Sequence, residues 1–120
     1  MASDFPVDIM GLRVGEHGSE ARVVTVVGDV DAMTGPKLFD FLAAQLAAAR
    51  LVVVDLDGVQ FLGSAGLSAL FEANEIAIRE GRTLLLVCNS RTANRALEAT
   101  ELKECFTFAS TVPDALHESL

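Results

Sequence analysis

The residue whose setting could support chemistry is Ser64, in the short stretch GSAG at positions 63–66. An apolar segment precedes this stretch and a helical spacing of apolar residues follows it, so the hydroxyl is expected at the N-terminal end of a helix. A serine in that position can cap the helix by accepting a hydrogen bond from its first turn. The same hydroxyl can instead act as a nucleophile or accept a phosphate group.

The surroundings of Ser64 do not favour catalysis. The nucleophile elbow G-x-S-x-G would need a glycine where Leu62 stands. A catalytic base is also required, but His17 and His117 fall in a predicted turn and in the last predicted helix. A phosphate-binding loop is not indicated either, because the stretch has no Lys or Arg and the chain lacks G-x-x-x-x-G-K-[ST]. A helix cap, a modification switch and weak anion binding at the helix N-terminus remain as interpretations.

Two aspartates, Asp55 and Asp57, lie at the end of the apolar segment before the serine. A magnesium site wants more oxygen ligands than two carboxylates, and it usually includes a phosphate. We therefore predict neither a metal nor a cofactor, and we assign Asp57 to a turn before Gly58. A receiver domain also has an aspartate after its third strand. It would need a lysine after its last strand, and none follows the segment CFTFAS.

An alternation of strands and helices must position these residues. Strands are predicted over residues 5–14, 22–27, 51–56, 83–87 and 105–108, with a turn at 15–20 and a loop at 28–35. Helices are predicted to begin at Pro36 with Thr34 or Gly35 as cap, near Ser64, after Ser90, and at Thr111 or Val112. The second helix is expected to end near Gly81. This order predicts an α/β fold with a mixed, mostly parallel sheet of about five strands and four helices, opening with a β-hairpin.

The composition narrows the classes of function. The 120 residues fit one domain spanning 1–120, and 51% of them are hydrophobic. A net charge of -8 and the absence of Trp and Tyr disfavour nucleic acid as a partner and suit a basic protein. The short apolar runs and the acidic N-terminus predict a cytoplasmic protein that does not bind or cross a membrane. Cys88 and Cys105 fit a reducing compartment and are not expected to pair.

Two motifs resemble those of one protein family. The stretch VVVDLDGVQFLGSAGLSAL, residues 52–70, resembles the signature of STAS domains, and among them the bacterial anti-sigma factor antagonists. In that family an apolar strand ending in Asp precedes a loop with the core D-S-[ST]-G-L. The stretch VVTVVGDVDAMTGPKL, residues 23–38, is similar to the family's V-x-G-E-[LIV]-D-x-x-[ST]-A-P-x-L. The resemblance extends from about residue 5 to the C-terminus, and both motifs occur in the family's order.

The resemblance implies a regulator without enzymatic activity. Family members bind an anti-sigma factor, often a serine kinase of the histidine-kinase-like ATPase fold, and thereby release a sigma factor for transcription. The kinase ends binding by phosphorylating the first Ser of the loop, and a PP2C-type phosphatase restores it. The corresponding acceptor here is Ser64. The implied partner-binding residues are Asp29, Asp31, Thr34, Leu62, Gly63, Ser64, Ala65, Gly66 and Leu67, with an apolar surface expected around Leu62, Ala65 and Leu67.

Other functions of the same fold stay open at this point. The chain could belong to a different partner-switching complex, or it could be a STAS domain that binds a small ligand at the helix mouth.

Two departures from the family pattern also matter: Gly63 stands where many members have Asp, and Ala65 where many have Ser or Thr. An Asp beside the acceptor could orient its hydroxyl, so we expect Gly63→Asp to raise the phosphorylation rate.

Overall fold

In the computed structural model, residues 10–119 are described, except for the side chains of residues 118 and 119. The strands are β1 (Met10–His17), β2 (Ala21–Val30), β3 (Leu51–Leu62), β4 (Thr83–Val87) and β5 (Thr107–Ala109). The α-helices are α1 (Gly35–Ala48), α2 (Ser64–Arg79), α3 (Arg91–Glu98) and α4 (Val112–Ser119). A 3-10 helix over Glu101–Cys105 lies between α3 and β5.

The five strands form one sheet in the order β1-β2-β3-β4-β5. The first pair is an antiparallel hairpin, whereas β2, β3, β4 and β5 pair in parallel. Parallel neighbours need crossover connections, and α1, α2 and α3 supply them between successive strands. The predicted α/β fold with its opening hairpin is confirmed.

Two apolar clusters explain the unbroken hydrophobic run of β3. Val52 and Val54 belong to the larger cluster, which includes buried leucines of α1, α2 and α3. Leu51 and Val53 belong to the smaller cluster, which includes Ala115 of α4. Successive strand residues point to opposite faces of the sheet. The run is therefore continuous because helices cover this strand on both sides, as in other parallel sheets.

The strands that lead to the serine are longer than predicted. The predicted loop at 28–35 is wrong in its first half, because β2 continues to Val30, and β3 continues from the predicted end at 56 to Leu62. Glycine does not act as a turn signal in either place. Gly28 has a positive φ of 85° beside a register shift in the β2–β3 pairing, as in a bulge. A Cβ on Gly58 would lie 2.7 Å from Cγ1 of Val27, so that glycine permits close packing between strands.

Smaller differences occur at both ends of the sheet. The turn predicted over residues 15–20 is shorter, because β1 extends to His17 and the turn occupies 18–20, with Gly18 at φ 70°. The part of the first predicted strand before Met10 lies outside the described residues. The fifth predicted strand is present but its predicted start at Cys105 is wrong, since Cys105 ends the 3-10 helix and β5 begins at Thr107. The side chain of Thr100 accepts a hydrogen bond from the Leu102 N–H, which favours the helical turn.

Three local predictions, which concern β4, α2 and α3, are confirmed. Strand β4 has the predicted bounds, and α2 ends just before Gly81. Ser90 caps α3 by accepting a hydrogen bond from the Ala93 N–H at 3.2 Å. Cys88 and Cys105 are both free thiols, and burial raises the pKa of Cys88. Across residues 10–119, no helix has the length and hydropathy that a bilayer-spanning segment needs.

Candidate functional site

Ser64 is the first residue of α2, and its side chain is exposed. The helix cap is Gly63, with φ -89° and ψ -177°, and the cap has no side-chain hydrogen bond. The prediction that Ser64 caps the helix is therefore wrong. A capping side chain must belong to the non-helical residue before the first turn, and the serine lies one position too late. Within the described part of the chain, the Ser64 hydroxyl has no hydrogen-bond partner and is open to chemistry.

The turn before Ser64 is tied to the end of β2. The Gly63 N–H donates to the Val30 carbonyl at 2.9 Å, and the Leu67 N–H donates to the Gly63 carbonyl at 3.0 Å. The strand register pairs Val30 with Leu62 and Asp29 with Phe61. The end of β2 and the start of α2 are therefore held side by side, as expected for the carboxyl ends of neighbouring parallel strands.

The connection from β2 to α1 is held by reciprocal hydrogen bonds between Asp31 and Thr34. The Asp31 N–H donates to Thr34 Oγ1 at 2.8 Å, and the Thr34 N–H donates to Asp31 Oδ1 at 3.0 Å. The Met33 N–H donates to the same carboxylate oxygen at 3.0 Å. Thr34 occupies the N-cap of α1, but its hydroxyl serves this loop and not the first helical turn. The loop is thus rigidly shaped by its own side chains.

These hydrogen bonds make the pKa of Asp31 a test of the loop. The Thr34 N–H that donates to the carboxylate is the main reason why the pKa of Asp31 lies below its ordinary value of 3.8. A lowered folded-state pKa adds stability above pH 3.8 that is lost as the pH falls through the folded-state value. We expect a carbon-detected NMR titration of the Asp31 carboxyl to give a midpoint below 3.8. A midpoint at or above that value would contradict the loop geometry.

The predicted partner-binding residues divide by exposure. Asp29, Asp31, Gly63 and Ala65 are half-buried, and Ser64 is exposed. The other four are buried in the core or the loop, so they support the site from beneath and do not reach its surface. They are Thr34, Leu62, Gly66 and Leu67.

The exposed apolar side chains near the serine differ from those predicted. The surface expected around Leu62, Ala65 and Leu67 is wrong, because both leucines are buried. Met33 is instead 81% exposed and Phe61 is 49% exposed. Sequence analysis missed both, since a Phe in an apolar segment resembles a core residue. A large apolar residue within a loop pattern, as at Met33, was the available signal.

A shallow groove of about 290 Å³ adjoins the serine between the N-terminal halves of α1 and α2. Pro36, Phe39 and Ala69 contribute apolar surface, and the carboxylates of Asp40 and Glu72 stand along it. This groove therefore carries negative charge toward the middle of both helices. The described residues contain no cluster of three potential metal ligands.

The aspartates considered for a metal site have a structural role. The prediction that Asp57 serves a turn is wrong, because this residue lies within β3. One carboxylate oxygen of Asp57 accepts a hydrogen bond from the Asn89 backbone N–H at 2.6 Å. The other accepts a hydrogen bond from the Asn89 side-chain amide at 3.2 Å. That amide also donates to the Ser110 carbonyl at 3.1 Å. Asp55 accepts the Asp57 N–H at 2.9 Å. These bonds join β3 to the segments that follow β4 and β5.

Comparisons with known proteins agree with this geometry. The family model for the STAS domain matches residues 13–115. The chain is 29% identical over 110 residues to the anti-sigma-F factor antagonist RsfB of Mycobacterium tuberculosis, covering 91% of this chain and 88% of that protein.

Solved structures show the same similarity. An anti-sigma factor antagonist from Mycobacterium paratuberculosis matches with a TM-score of 0.82 and 31% identity, over 93% of this chain and 95% of that one. The anti-sigma factor antagonist SpoIIAA in its unphosphorylated form matches with a TM-score of 0.76 and 14% identity, over 90% of this chain and 95% of that one. At this identity the second match concerns the fold alone.

Proposed function

Because this chain belongs to the STAS domain family, we propose that it is an anti-sigma factor antagonist whose binding is switched off by phosphorylation of Ser64. It binds an anti-sigma factor and so releases a sigma factor. The similarity to two proteins named as antagonists, each over about nine-tenths of this chain, supports this role. The proposed action is binding, and we assign no reaction to the chain itself.

The observation that supports the switch is the exposed hydroxyl of Ser64 at the first position of α2, which makes no capping hydrogen bond. A phosphate there adds about -1.5 to -2 charges. The helix dipole tolerates negative charge at this end, so the fold survives the modification. A partner surface placed over the serine would have to desolvate that charge, which is costly without a counter-ion. The phosphate would also stand near the carboxylates of Asp29 and Asp31, whose negative charges make burial of a further negative group in the interface less favourable.

We propose the contact residues from the exposed and half-buried members of the predicted set. Asp29, Asp31, Gly63, Ser64 and Ala65 touch the partner, and the buried members keep the turn in place. The anti-sigma factor is proposed to be a serine kinase of the histidine-kinase-like ATPase fold, with a PP2C-type phosphatase reversing its action. Ala65 offers no second hydroxyl, so the phosphate is assigned to Ser64 alone.

The function is tested with purified proteins. We expect the chain to form a stable complex with one anti-sigma factor of its source organism and to displace the sigma factor from it on a sizing column. Addition of ATP should then lead to one phosphate on Ser64, which mass spectrometry detects. The complex should dissociate, which the sizing column detects. Ser64→Ala is the matched control, and its complex should persist in ATP.

Three outcomes would contradict the proposal. A chain that binds none of the anti-sigma factors is not their antagonist. A complex with a regulator of a phosphatase or cyclase would indicate a different partner-switching system. Phosphate found elsewhere than on Ser64 would remove the proposed switch while leaving the binding role in place.

A further inference from the structure

Large apolar side chains are exposed at five positions of the described chain: Val14, Val27, Met33, Phe61 and Ile78. Single exposed apolar residues are common and need no explanation. Met33 and Phe61 differ because both lie beside the serine turn, on two separate segments. The hydrogen bond from the Gly63 N–H to the Val30 carbonyl joins those segments. Met33 follows Val30 closely in the chain, and Phe61 shortly precedes Gly63.

The backbone at Gly63 does not require glycine. Its φ of -89° and ψ of -177° belong to the extended region that any residue adopts. The constraint comes from Phe61 instead. A Cβ at position 63 would lie 3.0 Å from Cε2 and 3.3 Å from Cζ of the Phe61 ring. The ring therefore occupies the space beside the turn that a side chain at position 63 would need.

Two acidic residues lie on the segments that carry this ring and Met33 or pair with them. The strand register pairs Phe61 with Asp29, and Asp31 lies in the loop that carries Met33. An apolar centre with a polar and charged rim is the usual layout of a protein interface. Aromatic side chains at such centres often contribute most of the binding energy. The complementary surface is an apolar pocket bordered by Lys or Arg side chains.

We propose that Phe61 and Met33 form the apolar anchor through which this chain docks on its anti-sigma factor, and that Gly63 is needed to keep the Phe61 ring in place. The partner supplies an apolar pocket whose basic side chains face Asp29 and Asp31 and leave Ser64 without a counter-ion. This proposal rests on the proposed function, since it names further contacts of the same surface. It also assigns a physical role to the glycine that departs from the family's usual aspartate.

The anchor is tested by alanine substitution and titration calorimetry against the anti-sigma factor that binds the wild-type chain. We expect Phe61→Ala to raise the dissociation constant at least about tenfold and Met33→Ala about threefold to tenfold. Ile78→Ala is the matched control, because Ile78 is also exposed, at 66%, but lies about 21 Å along α2 from Ser64. It should bind within about twofold of wild type. Melting temperatures of the three variants should be close to that of wild type.

The role of Gly63 is tested by Gly63→Ala, which adds a Cβ without a charge. We expect about a threefold loss of affinity in the wild-type background and almost none in the Phe61→Ala background, since the ring is then absent. Equal losses in both backgrounds would show that Gly63 acts independently of Phe61.

The outcomes separate this proposal from the function on which it rests. Failure of the wild-type chain to bind any anti-sigma factor overturns both. Binding by wild type that Ser64→Asp weakens but Phe61→Ala leaves within about twofold keeps the function and overturns the anchor. A loss of affinity by Ile78→Ala equal to that of Phe61→Ala would also overturn the anchor.

Discussion

Ser64→Asp is expected to weaken binding of the anti-sigma factor by about 30-fold to several-thousand-fold, which corresponds to roughly 2–5 kcal/mol. The carboxylate would stand at an exposed helix start, where the serine hydroxyl has no hydrogen-bond partner among the described residues. A partner that covers it must remove its water without replacing it. The melting temperature should change little, because negative charge at the first turn of a helix is tolerated.

Ser64→Ala is the control for this prediction. The structure changes what is expected of it, because no capping hydrogen bond is lost. The variant should be as stable as wild type, bind the partner equally well and resist release by ATP. Calorimetric titration of both variants, with thermal unfolding of each, makes the comparison. Should Ser64→Asp bind as tightly as wild type, the serine would not lie in a charge-sensitive interface.

Much of the fold could be predicted because its central elements obey local rules. The run TLLLV became β4 at the expected residues, since a strand buried on both faces has no competing pattern. The predicted ends of β2 and β3 were wrong for a physical reason. Gly28, Asp29 and Gly58 have strong turn propensities, but pairing between β2 and β3 outweighed them.

The position of the site was easier to predict than its surface. The motif around Ser64 placed the hydroxyl at a helix start, and the structure agrees. The exposure of Phe61 could not be derived, because it depends on the irregular register between β2 and β3. Each register shift changes which residues face the core. The expected benefit of Gly63→Asp is also altered, since the added side chain meets the Phe61 ring.

A further glycine couples the stability of the fold to the geometry of the site. Gly35 begins α1, and a Cβ there would lie 2.8 Å from both the Cβ and the carbonyl oxygen of Ala65. Backbone atoms cannot move aside as a flexible side chain can, so α1 and α2 would have to separate. Ala65 directly follows Ser64, and the separation would therefore displace the serine turn.

We expect Gly35→Ala to lower the free energy of unfolding by about 1–3 kcal/mol, the usual effect of overpacking. For a chain of this size that corresponds to a loss of roughly 3–15 °C in melting temperature. Gly15→Ala is the matched control, because its Cβ would be 3.7 Å from the nearest atom, an ordinary contact. It should leave stability unchanged or slightly raised, since alanine loses less backbone entropy than glycine on folding.

The displaced turn should also reduce affinity for the anti-sigma factor when binding is measured well below the melting temperature of Gly35→Ala. The control should bind like wild type under the same conditions. If Gly35→Ala unfolds at the wild-type temperature, the helices tolerate the added methyl group, and close approach at this point does not hold the turn. Normal affinity combined with lowered stability would instead show that the helices can separate at this point without displacing Ser64 from its binding position.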